Sequence, residues 1–386
     1  MKSNNLVRNA VVLLITVALC VALGVDLMKQ HVETPIVVGE NVTEVRKLSD
    51  WNPALKGTSF DSTVFVLKGE EEGANFLLLG GTHESEVSGS MNAIAFVENA
   101  QVKKGTLYII PYANNSGITH TAALEGMLDE FTLTLSDGST RTFRVGNRYA
   151  NPVDQWPDPN YYMGSSGREL TNSSVGEIRN LNRNYPANNP GEAEGYGTLR
   201  ACYGIYNLIQ TEGIDFFYDA HEGNIAFPRV DYMIAHNDAM MLASTCSLNM
   251  MMEGLTLGVD QSGATSWGLS HRALGDNTDA LCTLVEVLSP FGAMHGKYDE
   301  NLLIEGDDEV LLSDVASRYA TAAGGTPATK ETARLVHRTA YQMAVTYSLI
   351  NAYTELYPEN SIIVEGIPTY NEIIEMGLGN LFKPLS

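Results

Sequence analysis

Residues 76–86 read Phe-Leu-Leu-Leu-Gly-Gly-Thr-His-Glu-Ser-Glu, and this stretch decides the fold class. A short apolar run that stops at two glycines is typical of a buried strand followed by a turn. Similar runs at residues 64–67, 106–112, 215–220 and 281–288 predict further strands, and helical spacing lies at 91–99, 198–211, 237–255 and 331–356. The alternation predicts an α/β fold with a mixed, largely parallel central sheet and helices on both faces.

One region departs from this alternation. Residues 131–135 and 140–145 alternate polar and apolar side chains on either side of Ser-Asp-Gly-Ser, which predicts a β-hairpin. The hairpin lies within residues 114–180, which we interpret as an insertion in a single domain spanning 61–386. A segment this long between core elements often shapes a binding site.

Charge excludes one class of function. The 386 residues contain 24 Lys and Arg against 46 Asp and Glu, a net charge of −22. Because phosphate contacts require clustered Lys and Arg, we expect no nucleic-acid partner. The same charge argues against docking on an anionic membrane surface.

The first 29 residues predict a signal peptide or an N-terminal membrane anchor. Lys2 and Arg8 precede an uncharged apolar run over residues 10–25. A basic start before such a run is typical of export, with the remaining chain outside the membrane. Residues 30–60 then form a linker and the start of the domain. We therefore expect an exported protein, anchored through residues 10–28 or secreted after cleavage.

The four cysteines do not predict a disulfide framework. Cys20 lies in the apolar run, which leaves Cys202, Cys246 and Cys282 at wide spacings. No C-x₂-C pair is present, so a cysteine zinc site is also disfavoured. We expect the cysteines to behave as small core hydrophobes.

His83 and Glu86 form the strongest candidate site. They lie three residues apart at the carboxyl end of a predicted strand, where open α/β sheets bind ligands. A neutral imidazole and a carboxylate suit zinc. A second strand ends in Asp219 and His221, whose spacing places both side chains on one side of the strand. Asp219 would then fix the tautomer of a ligating His221.

Two further patterns carry polar chemistry. Glu286 lies inside the apolar run 281–288, where a carboxylate is costly unless it is paired or catalytic. Asn182 and Arg183, followed by Asn184, offer planar donors for a carboxylate, although read alone they would equally be a solvated loop.

In this order the patterns resemble the zinc carboxypeptidase superfamily, and within it the succinylglutamate desuccinylase/aspartoacylase branch. Residues 80–86 are similar to the G-x-H-G-N-E of that branch, 180–186 to D-L-N-R-x-F-P, and 219–221 to D-L-H. Glu84 and Ser85 stand where the branch has Gly and Asn, and Asn180 stands where it has Asp. Glu84 could point away from the metal to solvent.

The resemblance implies a role for each matching residue. His83, Glu86 and His221 would bind one Zn²⁺ per chain, and Glu286 would act as the general base. Asn182 and Arg183 would hold a substrate carboxylate. An upstream arginine would stabilise the oxyanion; Arg168 is favoured over Arg179, which could instead steady its loop.

Two functions remain open at this stage. The first is an exported zinc-dependent hydrolase that cleaves an amide next to a free carboxylate, in a small N-acyl amino acid or a peptide. The second is a non-catalytic binding protein on the same scaffold, holding an anionic ligand or a cell-wall peptide. The departures at Glu84 and Asn180 motivate the second.

Overall fold

The computed structural model describes residues 2–30, 34–121, 128–155, 161–163, 169–171, 177–186, 195–224, 231–264, 266, 268–289, 299–306 and 329–385. The chain divides into two compact units, residues 1–35 and 36–386. The first unit contains one helix, α1 (Lys2–Gln30).

Strands and helices alternate along the second unit. Its described strands are β1 (Glu44–Lys47), β2 (Thr63–Lys68), β3 (Glu71–Leu79), β4 (Gln101–Ile110), β5 (Glu130–Thr134), β6 (Thr140–Arg144), β7 (Tyr161–Met163), β8 (Glu169–Thr171), β9 (Phe216–Asn224), β10 (Tyr232–Ala235), β11 (Gly258–Gln261), β12 (Leu281–Ser289) and β13 (Ile363–Glu365). Its described helices are α2 (Val87–Asn99), α3 (Gly197–Glu212), α4 (Met240–Met252), α5 (Ser270–Asn277), α6 (Glu300–Glu305), α7 (Lys330–Ala333), α8 (Leu335–Leu356) and α9 (Tyr370–Met376).

The main sheet is mixed, with a parallel centre. Its order is β1-β2-β4-β3-β9-β12-β10-β11, and β13 also pairs with β4. The pairs β4–β3, β3–β9 and β9–β12 are parallel, whereas β12–β10 and β2–β4 are antiparallel. The predicted mixed α/β sheet is therefore confirmed, and the hairpin pairs as β5 with β6.

Helices cover both faces of this sheet. Phe76 and Leu78 of β3 belong to one apolar core with α2, α4 and α8. Leu77 and Leu79 belong to a second core with α3 and α5. Because successive side chains of a strand point to opposite faces, one fully apolar strand supplies both cores.

One sequence expectation needs adjustment. The helix predicted over 331–356 is two helices, because Arg334 has extended dihedrals (φ −60°, ψ 140°) that end α7 and start α8. Residues 30–60, predicted as a linker and the start of the domain, contain β1, which pairs with β2. Cys202, Cys246 and Cys282 are free and buried, as expected of core residues, and Cys20 is exposed.

Candidate metal centre

Two glycines shape the connection from β3 into α2. Gly81 has φ +64°, a conformation that side chains disfavour. Gly89, in the first turn of α2, packs so closely on β9 that a Cβ would lie 2.4 Å from the Ala220 carbonyl oxygen. This close approach places Glu86, just before α2, beside His221 in the second half of β9.

His83, Glu86 and His221 converge into one ligand group. One potential ligand atom from each lies within 4.8 Å of the other two. His83 Nδ1 is 2.7 Å from Glu86 Oε1, and His221 Nδ1 is 2.9 Å from Glu86 Oε2. All three residues are buried, with exposed fractions of 4 % for His83, 8 % for Glu86 and 0 % for His221. Two imidazole nitrogens and a carboxylate are the donors that catalytic zinc sites use.

The outer nitrogen of each histidine meets an oxygen atom. His83 Nε2 lies 3.0 Å from Asn180 Oδ1, and His221 Nε2 lies 3.0 Å from Asp219 Oδ2. The Asp219 carboxylate also accepts hydrogen bonds from two hydroxyls, Thr82 at 2.8 Å and Ser270 at 2.5 Å. Such contacts orient the rings of metal ligands and fix their tautomers. Asn180 would therefore orient the His83 ring with an amide oxygen.

The electrostatics of the group suit a cation. Burial alone would lower the pKa of His221, but Asp219 and Glu86 on either side raise it well above its ordinary value. Burial opposes ionisation of Glu86, yet its interactions with the imidazoles of His83 and His221 lower its pKa below the usual range. Two buried carboxylates thus require positive charge between them. A zinc ion would supply it by displacing the proton of His221.

His83 is the histidine already prepared as a ligand. Burial lowers its pKa to about 4, with a further contribution from the Arg148 guanidinium. The imidazole is therefore neutral at physiological pH, which is the form that coordinates a metal. The donor set and its protonation together fit zinc.

Glu286 stands directly beside this group. Strand β12 is in parallel register with β9, so that Glu286 pairs with His221 and shares its face of the sheet. Burial raises the pKa of its carboxyl to about 7. A carboxyl with such a pKa can both accept and release a proton near neutral pH.

Arg148 is the described arginine that lies next to the ligand group. Its Nη1 is 3.3 Å from His83 Nδ1 and 3.6 Å from Glu86 Oε1, and 37 % of its side chain is exposed. Arg168 lies outside the described residues. Arg179 instead donates to the Ala150 carbonyl oxygen at 2.7 Å, which steadies the loop.

Asn182 and Arg183 are both engaged by the protein itself. Asn182 Oδ1 accepts the backbone N–H of Ser270 at 2.7 Å, which ties the loop to the start of α5. Arg183 Nε lies 2.9 Å from Glu177 Oε2, and its Nη1 donates to the Asn182 carbonyl oxygen. Their role in holding a substrate stays a prediction.

Glu84 does not point to solvent. It is only 1 % exposed, and its carboxyl lies over Gly81 and 3.4 Å from Ser90 Oγ. Burial raises the pKa of its carboxyl well above the ordinary value. Gly81 makes the room, because a Cβ there would be 2.5 Å from Glu84 Oε1. Glu84 is therefore separate from the ligand group.

A buried ion pair adjoins the ligand group through the residue after His221. Glu222 follows His221, and its backbone N–H donates to Glu86 Oε2 at 3.0 Å. Its carboxylate lies 2.5 Å from Arg338 Nη1 of α8, with both side chains fully buried. Gln342, one turn further along α8, donates to the His221 carbonyl oxygen at 2.8 Å. Two side chains of α8 thereby hold the second half of β9: Arg338 pairs with the Glu222 carboxylate, and Gln342 binds the His221 backbone.

Sequence reasoning missed Arg148, Arg338 and Glu177. Arg148 and Arg338 contact partners that are distant in the chain: Arg148 and Glu86 are 62 positions apart, and Arg338 and Glu222 are 116 apart. Glu177 lies only six positions from Arg183, but no periodicity in the sequence shows that the two side chains meet. The one available signal was charge in an apolar context, since Arg338 interrupts the apolar spacing of a buried helix.

No known protein family and no curated protein matches this chain. Solved structures with a similar fold include a metallo-carboxypeptidase from Burkholderia cenocepacia, at 11 % identity and TM-score 0.42, covering 82 % of this chain and 66 % of that one. A succinylglutamate desuccinylase/aspartoacylase from Rhodobacter sphaeroides matches at 15 % identity and TM-score 0.33, covering 58 % and 51 %. A cell shape determinant protein from Helicobacter pylori matches at 12 % identity and TM-score 0.43, covering 81 % of this chain and 59 % of that one.

These similar structures include both groups that the sequence patterns resemble, the metallocarboxypeptidases and the succinylglutamate desuccinylase/aspartoacylase branch. In each of the three cases the chain spans less than two thirds of the length of the protein that it matches.

Proposed function

We propose that this protein is a zinc-dependent hydrolase that cleaves an amide bond in a small N-acyl amino acid or a peptide. The observation that carries the proposal is the convergence of His83, Glu86 and His221 within 4.8 Å, with Glu286 in register beside His221. A three-residue ligand set with a neighbouring carboxyl of raised pKa is the arrangement that metal-assisted hydrolysis requires.

The chain's own residues would divide the chemistry as follows. Zinc held by His83, Glu86 and His221 would lower the pKa of a water molecule and polarise the scissile carbonyl. Glu286 would take the proton from that water at its carboxylate and deliver it to the leaving nitrogen. Arg148 would donate to the carbonyl oxygen as negative charge develops there.

Arg148 gives the first test of these roles. We expect Arg148→Ala to lower kcat by about 100-fold, the usual effect of removing one donor to a developing oxyanion. The kcat of Arg148→Lys should lie between those of the wild type and Arg148→Ala, because lysine keeps the positive charge but lacks the planar guanidinium. Zinc content should stay at the wild-type level. Arg144→Ala is the matched control, because that side chain reaches the Ile118 carbonyl oxygen instead. If Arg148→Ala and the control had equal kcat values, Arg148 would not stabilise the developing negative charge.

The proposed substrate is small and carries an acyl–nitrogen bond. Asn182 and Arg183 are the candidate ligands for a carboxylate next to the scissile bond. They follow Asn180, which contacts the ligand group through His83. A bound carboxylate would fix the amide relative to the metal, which is how positioning contributes to rate.

We also propose that the protein works outside the cytoplasm. Helix α1 includes a span over Asn5–Val25 with mean hydropathy 2.4, long and apolar enough to cross a membrane. A signal sequence passes the same test. Either reading places the hydrolase domain on the outer side, with peptides as accessible substrates.

Metal content is the experiment that tests the proposal. The full chain, purified without chelator, should contain about one zinc, as a site with three protein ligands does. His83→Ala should lose that zinc because it removes one of the three. His236→Asn serves as the matched control, since His236 pairs with Asp276 and lies outside the ligand group. Chelation should abolish hydrolysis of N-acyl amino acids or peptides, and zinc should restore it.

Other results would lead elsewhere. Equal zinc in wild type and His83→Ala, or none in either, would contradict the metal site. Stoichiometric zinc without turnover of any acyl amino acid or peptide would instead support a non-catalytic binding protein.

A further inference from the structure

Glu177 lies within a set of donors that would suit a bound carboxylate. Its Oε2 is 2.9 Å from Arg183 Nε and accepts Asn180 Nδ2 at 3.1 Å. Its Oε1 accepts the Tyr149 hydroxyl at 3.4 Å. We name Tyr149, Asn180 and Arg183 the carboxylate-binding group. A guanidinium, an amide and a phenol are the donors that recognise planar carboxylates.

This group lies next to the candidate metal centre. Asn180 bridges the two, because its Nδ2 donates to Glu177 while its Oδ1 lies 3.0 Å from His83 Nε2. Glu177 is therefore two hydrogen bonds away from a metal ligand. A substrate carboxylate bound by this group would therefore lie near the candidate metal centre.

The Arg183–Glu177 pair is half-buried. Its side chains are 18 % and 23 % exposed, respectively. At such exposure water screens the attraction less than it does for a fully exposed pair. A carboxylate of the chain itself consequently occupies the arginine that the sequence predicts as a substrate ligand.

We propose that Glu177 is a specificity-determining residue that competes with a substrate carboxylate for Arg183. A free carboxylate next to the scissile bond must displace Glu177 and lie close to its charge. A substrate with a neutral amide or a continuing peptide at that position avoids this cost. The enzyme would therefore accept neutral ends about as well as free carboxylates. This inference rests on the proposed amide hydrolase function.

A pair of matched substrates tests the inference. N-acetyl-phenylalanyl-alanine and its carboxamide differ only in the charge of the terminal group. For the wild type, KM for the two should agree within about threefold, because Arg183 is already neutralised. For Glu177→Gln, KM of the free acid should fall by about tenfold, while KM of the carboxamide should not change.

The control must separate local competition from net charge. Glu365→Gln also removes one negative charge, but Glu365 lies on β13 with 60 % of its side chain exposed. Its two KM values should equal those of the wild type. A fall in both KM values of Glu177→Gln by the same factor, or no fall in either, would overturn the inference. If Glu177 had only a structural role, Glu177→Gln would change the KM values of both substrates by the same factor.

Failure of the proposed function would show separately. If zinc-loaded wild type cleaves neither peptide, binding of the same two compounds is measured by calorimetry. Selective tightening of the free acid in Glu177→Gln would support competition at Arg183 even without turnover. Unchanged or parallel affinities would overturn it.

Discussion

Replacing Glu286 by Gln should lower kcat by about 1,000-fold while the zinc content stays unchanged, since a positioned general base contributes on the order of 10² to 10⁴. Gln keeps the size of the side chain but cannot accept and release the proton. Glu286 is not part of the ligand group, so the metal should remain bound. KM should change little, because the carboxyl acts on the transferred proton rather than on substrate binding.

The strand register and the buried environment of Glu286 both suit a general base. Its position opposite His221 places it on the face of the sheet that carries the ligands. Burial raises its pKa to about 7, so the carboxyl is basic enough to take a proton and acidic enough to return it. Steady-state kinetics with metal analysis of the same samples would measure both effects. Activity of Glu286→Gln within a few-fold of wild type would contradict the general-base role.

The second large effect concerns stability. Arg338→Met should destabilise the metal-free protein by about 3–5 kcal/mol, because it leaves Glu222 buried without its partner. Both side chains of this pair are fully buried, and the Glu222 carboxylate also accepts a hydrogen bond from the backbone N–H of Ser88 at 2.9 Å. The double variant Glu222→Gln/Arg338→Met should recover most of the loss, since no uncompensated charge remains.

Urea unfolding of the metal-free proteins would measure this effect. Arg334→Met is the matched control: Arg334 lies four residues earlier and pairs with Glu305 at 3.2 Å, with both side chains nearly half exposed. We expect it to cost less than about 1 kcal/mol, as exposed ion pairs do. If Arg338→Met cost no more than this control, the buried pair would not hold the end of β9. Zinc affinity should also fall in Arg338→Met, because Glu222 positions Glu86 through its backbone N–H.

Much of the fold followed from local patterns. Apolar runs bounded by glycine and charge located the central strands, and the hairpin followed from alternation around a turn. These features depend on side-chain periodicity and turn chemistry, which a sequence shows directly. The break between α7 and α8 did not follow, because the residue at the break, Arg334, has no local signal such as proline or glycine.

The sequence by itself determined the residue types at the site and the strand ends that carry them. His83, Glu86, Asp219, His221 and Glu286 could be selected because each is polar at the end of, or inside, an apolar run. Only the tertiary structure decided what surrounds them: Arg148 beside the ligands, Glu177 on Arg183, and Arg338 beneath Glu222. The physical reason is that electrostatic pairing depends on distance in space, whereas periodicity depends on distance along the chain.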